Sequence, residues 1–93
     1  MIYTNCFIID ASLFTSKSDM HELLQKVFSE YEYFGKNLDA LHDVLTSIRK
    51  DSLIVINNFA KAQETLGNYM NTTAKVFCDS AEENPHLKIT FNM

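Results

Sequence analysis

The sequence predicts an α/β fold, in which a three-stranded parallel sheet is packed with about four helices in a single domain over residues 1–93. Three short runs rich in apolar and β-branched residues are separated by segments of helical periodicity. The two connections between these runs are about 30–45 residues long, as the crossovers of parallel strands require. A length of 93 residues and a hydrophobic content of 46% are sufficient for one core without disulfides or bound metal.

The three predicted strands differ in their hydropathy patterns. Residues 3–9 form a β-branched and aromatic run that stops at Asp10. Residues 53–56 are continuously apolar, which is typical of a strand covered on both faces, so we expect this strand in the middle of the sheet. Apolar and polar residues alternate from Leu87 to Asn92, as in a half-buried strand near a sheet edge.

Two helices are predicted between the first and second strands. Ser18 is the expected N-cap of the first helix, whose apolar residues follow the i, i+3, i+4, i+7, i+8 spacing. Residues 29–36 have no stable period and are expected to form an aromatic, acidic loop. Asn37 is the expected N-cap of the second helix. The apolar residues of that helix share one face: Leu38, Leu41, Leu45 and Ile48.

Two further helices are predicted between the second and third strands. Asn57 or Asn58 is expected to begin the third helix, and Gly67 stands where a C-terminal cap is needed. The fourth helix is predicted over about residues 69–83, and an Asn-Pro pair ends it. The resulting order is β-α-α-β-α-α-β.

The acidic residues are unevenly distributed along the chain. The formal charge is −4 and the pI about 5.2, which argues against a broad basic surface for nucleic acid. Residues 29–48 hold four acids and one base, a net of −3, so the other residues, with eight acids and seven bases, carry −1. The charged residues of this segment are Glu30, Glu32, Lys36, Asp39 and Asp43. Such a patch repels RNA, DNA and anionic membranes and attracts a cationic partner.

The cysteines and the N-terminal segment indicate a cytoplasmic protein. Cys6 and Cys78 match no metal-binding spacing and are expected to be buried or half-buried free thiols. No Lys or Arg precedes the first apolar run, and no 20-residue apolar window exists, so neither a signal peptide nor a membrane span is expected. The sequence also lacks glycine-rich phosphate loops, and no cofactor is expected.

Three residues of the second helix have side chains suited to metal or acid–base chemistry. Asp39, His42 and Asp43 share one helix face, opposite the apolar residues. They could bind a divalent cation only with ligands from elsewhere in the chain. Two aspartates at i, i+4 also cost an isolated helix about 0.2–0.5 kcal/mol. Since aromatic loop residues, including Tyr31 and Tyr33, precede them, the features favour a protein-binding surface over a solvated face or a catalytic site.

The same segment resembles a known family motif. Residues 33–45 read Tyr-Phe-Gly-Lys-Asn-Leu-Asp-Ala-Leu-His-Asp-Val-Leu, and this run resembles the pattern aromatic-aromatic-Gly-x-Asn-Leu-Asp-Ala-Leu-x-Asp of the barstar family. Members of that family are intracellular ribonuclease inhibitors. Residues 18–24 resemble the opening of the family's first helix, and residues 87–91 resemble its closing strand. The resemblance is strong over 18–48 and loose over 57–75.

The resemblance implies an inhibitor, immunity protein or antitoxin that occupies the active site of a basic ribonuclease, 1:1 and without catalysis. The loop and second helix enter the cleft, and carboxylates stand in for RNA phosphates. Asp39 becomes the central phosphate mimic, Tyr33 covers the catalytic histidine, and Gly35 allows a close backbone approach. The implied partner-binding residues are Tyr33, Gly35, Asn37, Leu38, Asp39, His42, Asp43, Val76 and Asp79. Neither direct nucleic-acid binding nor membrane binding is implied.

Three departures from the best-known family member point to a different partner. His42 replaces a tryptophan, Asp79 replaces a glutamate, and Phe34 lacks the hydroxyl of a tyrosine. The sequence leaves two alternatives open. One is an immunity protein against another toxin such as a DNase, and the other is a small metal-binding protein that uses Asp39, His42 and Asp43.

Overall fold

The computed structural model describes residues 2–31 and 37–93. The predicted loop over residues 29–36 therefore lies largely outside the described residues, and so do Tyr33 and Gly35. In chain order the elements are β1 (Asn5–Asp10), a 3₁₀ turn (Ala11–Leu13), α1 (Lys17–Val27), α2 (Leu38–Ser47), β2 (Ser52–Asn57), α3 (Phe59–Leu66), α4 (Asn68–Glu83) and β3 (Leu87–Phe91).

The three strands form one parallel sheet in the order β1-β2-β3. Ile56 of β2 is in register with Ile9 of β1 on one side and with Phe91 of β3 on the other. The α/β class, the parallel sheet and the central position of the second strand are therefore confirmed. Both long connections carry a pair of helices, as the helical periodicity predicts.

The side chains of the sheet show that only one of its faces is well covered. Ile54 and Ile56 are fully buried, but Val55 between them is only half-buried. In β1, Ile9 is buried while Ile8 is 67% exposed. The expectation that the second strand is covered on both faces is therefore wrong. Its continuous apolar run contains one buried row of side chains and one row on a partly open face.

The covered face of the sheet packs against side chains from all four helices. Phe28, at the end of α1, lies with its ring centroid 5.0 Å from that of Phe7 on β1. The helical residues that are fully buried in this core include Met20, Leu24, Leu41, Leu45, Ala62, Met70 and Phe77. Their burial confirms the apolar stripes predicted for the helices, because residues at these spacings lie on one side of a helix.

The first helix begins two residues earlier than the sequence pattern predicts. Its N-cap is Ser16, whose backbone is extended and whose hydroxyl oxygen accepts a hydrogen bond from the Asp19 backbone N–H at 3.0 Å. The predicted cap, Ser18, lies within the helix instead. Both serines precede the apolar stripe, but only Ser16 has an acidic residue three positions later, where the helix dipole favours it.

The two cysteines also differ from expectation. Cys6 and Cys78 are free thiols, but both are exposed rather than buried or half-buried. Cys6 lies on the same open face of β1 as Ile8, because successive side chains of a strand point to opposite faces. No helix among the described residues is long and apolar enough to cross a lipid bilayer.

Candidate functional site on helices α2 and α4

The N-terminus of α2 is fixed by Asn37. Its backbone is extended, and its side-chain oxygen accepts a hydrogen bond from the Ala40 N–H at 2.8 Å. The predicted N-cap is therefore confirmed. The cap places Asp39 in the first turn, where the positive end of the helix dipole stabilises a carboxylate.

Helix α2 has a buried side and an acidic exposed side. Leu41 and Leu45 are completely buried, and Leu38 is half-buried against the same core. Asp39 and Asp43 are exposed. Four residues of an α-helix rise by about 6 Å, so the two carboxylates stand one turn apart on the solvent side.

These two aspartates are not neutralised within the part of the chain that the structure describes. Neither Asp39 nor Asp43 forms an ion pair with a residue in 2–31 or 37–93. Because like charges at i, i+4 repel, the arrangement costs the free helix about 0.2–0.5 kcal/mol. Two exposed carboxylates at this spacing attract cationic groups of another molecule.

His42 turns from α2 toward α4. Its Nε2 atom donates a hydrogen bond to the Glu83 carboxylate at 2.9 Å. Among the described residues no group of three or more His, Cys, Asp or Glu side chains is arranged to hold a metal ion. Asp39, His42 and Asp43 are all described, so the alternative of a metal site at these three residues is not supported. His42 instead joins the two helices.

A second link between α2 and α4 is made by Asn84. This residue is buried, and its side-chain amide donates hydrogen bonds of 2.9 Å to the backbone carbonyls of both Leu45 and Ile48. The last backbone carbonyls of a helix have no hydrogen-bond donor within the helix. At the end of α2, the Asn84 amide supplies the missing donors. The C-terminal end of α2 is thereby held at the C-terminal end of α4. Sequence reasoning identified Asn84 only as a helix terminator.

Helix α4 contributes a second pair of acidic residues. Asp79 and Glu83 are four residues apart and lie on the same side of α4, and Glu83 marks this side as the one next to α2. The Asp79 carboxylate accepts a hydrogen bond from the Lys75 ammonium at 2.9 Å. This bond, together with the negative charge of Asp79, raises the pKa of Lys75. Val76, one turn before Asp79 and Ser80, is half-buried against the core.

We use the term acidic face for the surface formed by Asp39, His42, Asp43, Asp79 and Glu83. The structure brings the predicted His42 of α2 against Glu83 of α4, which stands four residues after the predicted Asp79. Tyr33 and Gly35 lie outside the described residues. Tyr31, one of the aromatic residues predicted to contribute to a protein-binding surface, is half-buried and packs against the core.

Sequence reasoning missed Glu83 and Lys75. Lys75 and Asp79 stand at i, i+4 on a predicted helix, so their ion pair could have been recognised from spacing alone. The contact between His42 and Glu83 joins residues 41 positions apart, and no local pattern indicates it.

Comparison with known proteins places the chain in one family. The family model described as Barstar (barnase inhibitor) matches residues 4–93, which is nearly the whole chain. The chain belongs to the barstar family. A Bacillus subtilis (strain 168) protein named "Putative ribonuclease inhibitor YrdF" is 32% identical over 77 residues, covering 82% of this chain and 85% of that protein. The motif over residues 33–45 that resembles barstar therefore lies in a chain that matches the barstar family throughout.

Proposed function

We propose that this barstar-family chain is a cytoplasmic, non-enzymatic inhibitor that binds a basic ribonuclease 1:1 and blocks its active site. In the cell it would serve as an immunity protein or antitoxin. Family membership supports the inhibitor role, since the family is described by its inhibition of barnase. The name of the Bacillus subtilis relative supports the same role.

The observation that carries the proposal is the exposed pair Asp39 and Asp43 on α2. Both carboxylates lack an ion-pair partner in the described chain, so they are available to cations of another protein. A ribonuclease active site holds arginine, lysine and histidine side chains that bind the phosphates of RNA. Two carboxylates one helical turn apart offer these side chains a substitute polyanion, and charge-assisted hydrogen bonds would hold the complex together.

The other predicted contact residues have supporting roles in this proposal. Asn37 uses its side-chain oxygen for the helix cap, so it would contribute by positioning Asp39. Leu38 and Val76 are half-buried and would present apolar surface beside the carboxylates. On the family resemblance, Tyr33 and Gly35 would complete the contact from the preceding loop.

The decisive experiment compares inhibition by the wild-type chain and by Asp39→Ala. A panel of small basic bacterial ribonucleases, beginning with barnase, is titrated with each protein, and cleavage of a fluorogenic RNA is followed. We expect stoichiometric inhibition of at least one enzyme by the wild type. Loss of a central carboxylate should weaken binding at least about 30-fold, because interface hot spots cost about 2 kcal/mol or more.

Glu64→Ala is the matched control, because it removes one exposed carboxylate from α3, outside the acidic face. It should leave inhibition within about 2-fold of wild type. Equal effects of the two substitutions would contradict the role of the acidic face. Inhibition of no ribonuclease in the panel, or of a DNase instead, would overturn the proposed ribonuclease target.

A further inference from the structure

The carboxylates of the acidic face differ in what they already contact. Asp39 and Asp43 on α2 have no cationic partner in the described part of the chain. Asp79 on α4, in contrast, is bonded to the Lys75 ammonium at 2.9 Å, and the two side chains are 46% and 73% exposed. Within residues 2–31 and 37–93, one part of the face therefore has no cationic partner, and another part is partly neutralised by Lys75.

The contact between Lys75 and Asp79 is set by the helix. Residues at i and i+4 are neighbours on the helix surface, so their pairing needs no tertiary contact. The hydrogen bond to Asp79 and the negative charges of Asp79 and then Glu82 raise the pKa of Lys75. A lysine side chain is protonated at neutral pH, so Lys75 places a constant positive charge beside Asp79.

We propose that Lys75 is a specificity-determining residue beside the acidic face, because its ammonium occupies one oxygen of Asp79 and repels any cation of a ribonuclease that approaches this carboxylate. This inference rests on the proposed function. If a ribonuclease has an arginine or lysine opposite Asp79, the positive charge of Lys75 repels that side chain and competes with it for the carboxylate. A ribonuclease with no cation at that place meets no such competition.

Lys75 would therefore discriminate among basic ribonucleases through repulsion rather than attraction. Specificity is a difference between affinities, and an unfavourable contact with the wrong partner contributes as much as a favourable contact with the right one. Because Lys75 is exposed, its charge should act mainly on the association rate.

The test replaces Lys75 by methionine, which keeps an unbranched side chain and suits a helix. The probes are two ribonucleases of the panel, the one that the wild-type chain inhibits most tightly and one that it inhibits weakly. For the weakly inhibited enzyme, we expect Lys75→Met to tighten binding by about 3- to 10-fold, mostly through faster association, since a repelling charge is removed and Asp79 becomes free. Binding of the tightly inhibited enzyme should change by less than about 2-fold. Rate constants are measured by stopped-flow mixing, and circular dichroism checks that each variant is folded.

Lys61→Met is the matched control, because Lys61 forms an exposed ion pair with Glu64 on α3, away from the acidic face. Both substitutions change the formal charge from −4 to −5. The control should change the affinity by less than about 2-fold. Equal gains for the two variants would overturn the inference, because the effect would then come from net charge alone.

A double-mutant cycle with Asp79→Asn isolates the pair. If Lys75 acts by masking Asp79, then Lys75→Met should change the affinity by less than about 2-fold in the Asp79→Asn background. An undiminished gain in that background would overturn the inference while leaving the proposed function intact. Failure of the wild-type chain to inhibit any ribonuclease would instead overturn the proposed function, and this inference with it.

Discussion

Asp10 accepts three hydrogen bonds at the end of β1. Its Oδ1 atom accepts from the Ser12 hydroxyl at 2.6 Å, from the Asn58 amide at 2.8 Å and from the Ser12 N–H at 3.0 Å. These bonds favour the ionised carboxylate and lower the pKa of Asp10 below its usual 3.8. Asn58, which begins α3 with a left-handed backbone, is thereby joined to the first strand.

The lowered pKa of Asp10 predicts how stability depends on acid. A carboxylate with a depressed folded-state pKa contributes stability that is present above its unfolded pKa and is lost as pH falls through the folded-state value. We therefore expect Asp10→Asn to be less stable than wild type at pH 6, and the difference to shrink below about pH 4. Urea unfolding over a series of pH values measures this difference.

Ser12→Ala provides a second variant for the same prediction. It removes the hydroxyl that contributes most to lowering the pKa of Asp10 but leaves the carboxylate in place. Its acid dependence should lie between those of wild type and Asp10→Asn. A constant difference between wild type and Asp10→Asn from pH 6 to pH 2 would show that ionisation of Asp10 does not stabilise the fold.

At the scale of elements, the position of α2 depends on its bonds to the end of α4. Asn84→Ala removes both donors to the Leu45 and Ile48 carbonyls and leaves buried acceptors without partners. Such a loss costs about 1–3 kcal/mol, so we expect a fall of that size in the free energy of unfolding. Equilibrium unfolding in urea gives the value directly.

Asn71→Ala serves as the comparison for Asn84, since Asn71 is exposed and its side-chain oxygen accepts an exposed hydrogen bond from the Gln63 amide. This substitution should change the free energy of unfolding by less than about 0.5 kcal/mol. A similar small change for Asn84→Ala would mean that the two helices are held together by apolar packing and that the amide is dispensable.

Helix and strand identities could be predicted because they depend on local patterns. The apolar stripe of α2 and its N-cap Asn37 can both be recognised from residues close together in the sequence, and the structure confirms both. The exposure of Val55 could not be predicted, because a continuous apolar run looks the same whether one or both sheet faces are covered. The sequence pattern predicts the wrong N-cap for α1, because Ser16 and Ser18 both precede the apolar stripe of that helix.

The candidate site could also be predicted in part, because some of its residues follow a local pattern in the sequence. Asp39 and Asp43 are recognisable from spacing within one helix, and the family resemblance adds the residues of α4. The contact of His42 with Glu83 arises only when two distant segments pack, so the sequence alone left a metal site open as an alternative. Tertiary contacts thus decide the part of the site that local patterns leave undetermined.

Over the whole molecule, the negative charge is concentrated in the part of the sequence that contains α2, where we propose that the partner binds. Residues 29–48 carry −3 of the net charge of −4, and α4 adds further carboxylates beside them. The negative potential of these residues repels nucleic acid, but it complements the positively charged surface of a protein that binds nucleic acid. In the function we propose, the acidic face would take the place of RNA in the phosphate-binding cleft of a ribonuclease.

Competition for the enzyme tests this claim most directly. A fluorescent, non-cleavable 2′-O-methyl oligonucleotide is bound to the ribonuclease that the wild-type chain inhibits, and its anisotropy is followed while the chain is added. We expect mutually exclusive binding, so the oligonucleotide should be released completely and the apparent Kd of the chain should rise in proportion to oligonucleotide concentration. A ternary complex, in which the chain binds and the oligonucleotide stays in place, would contradict it.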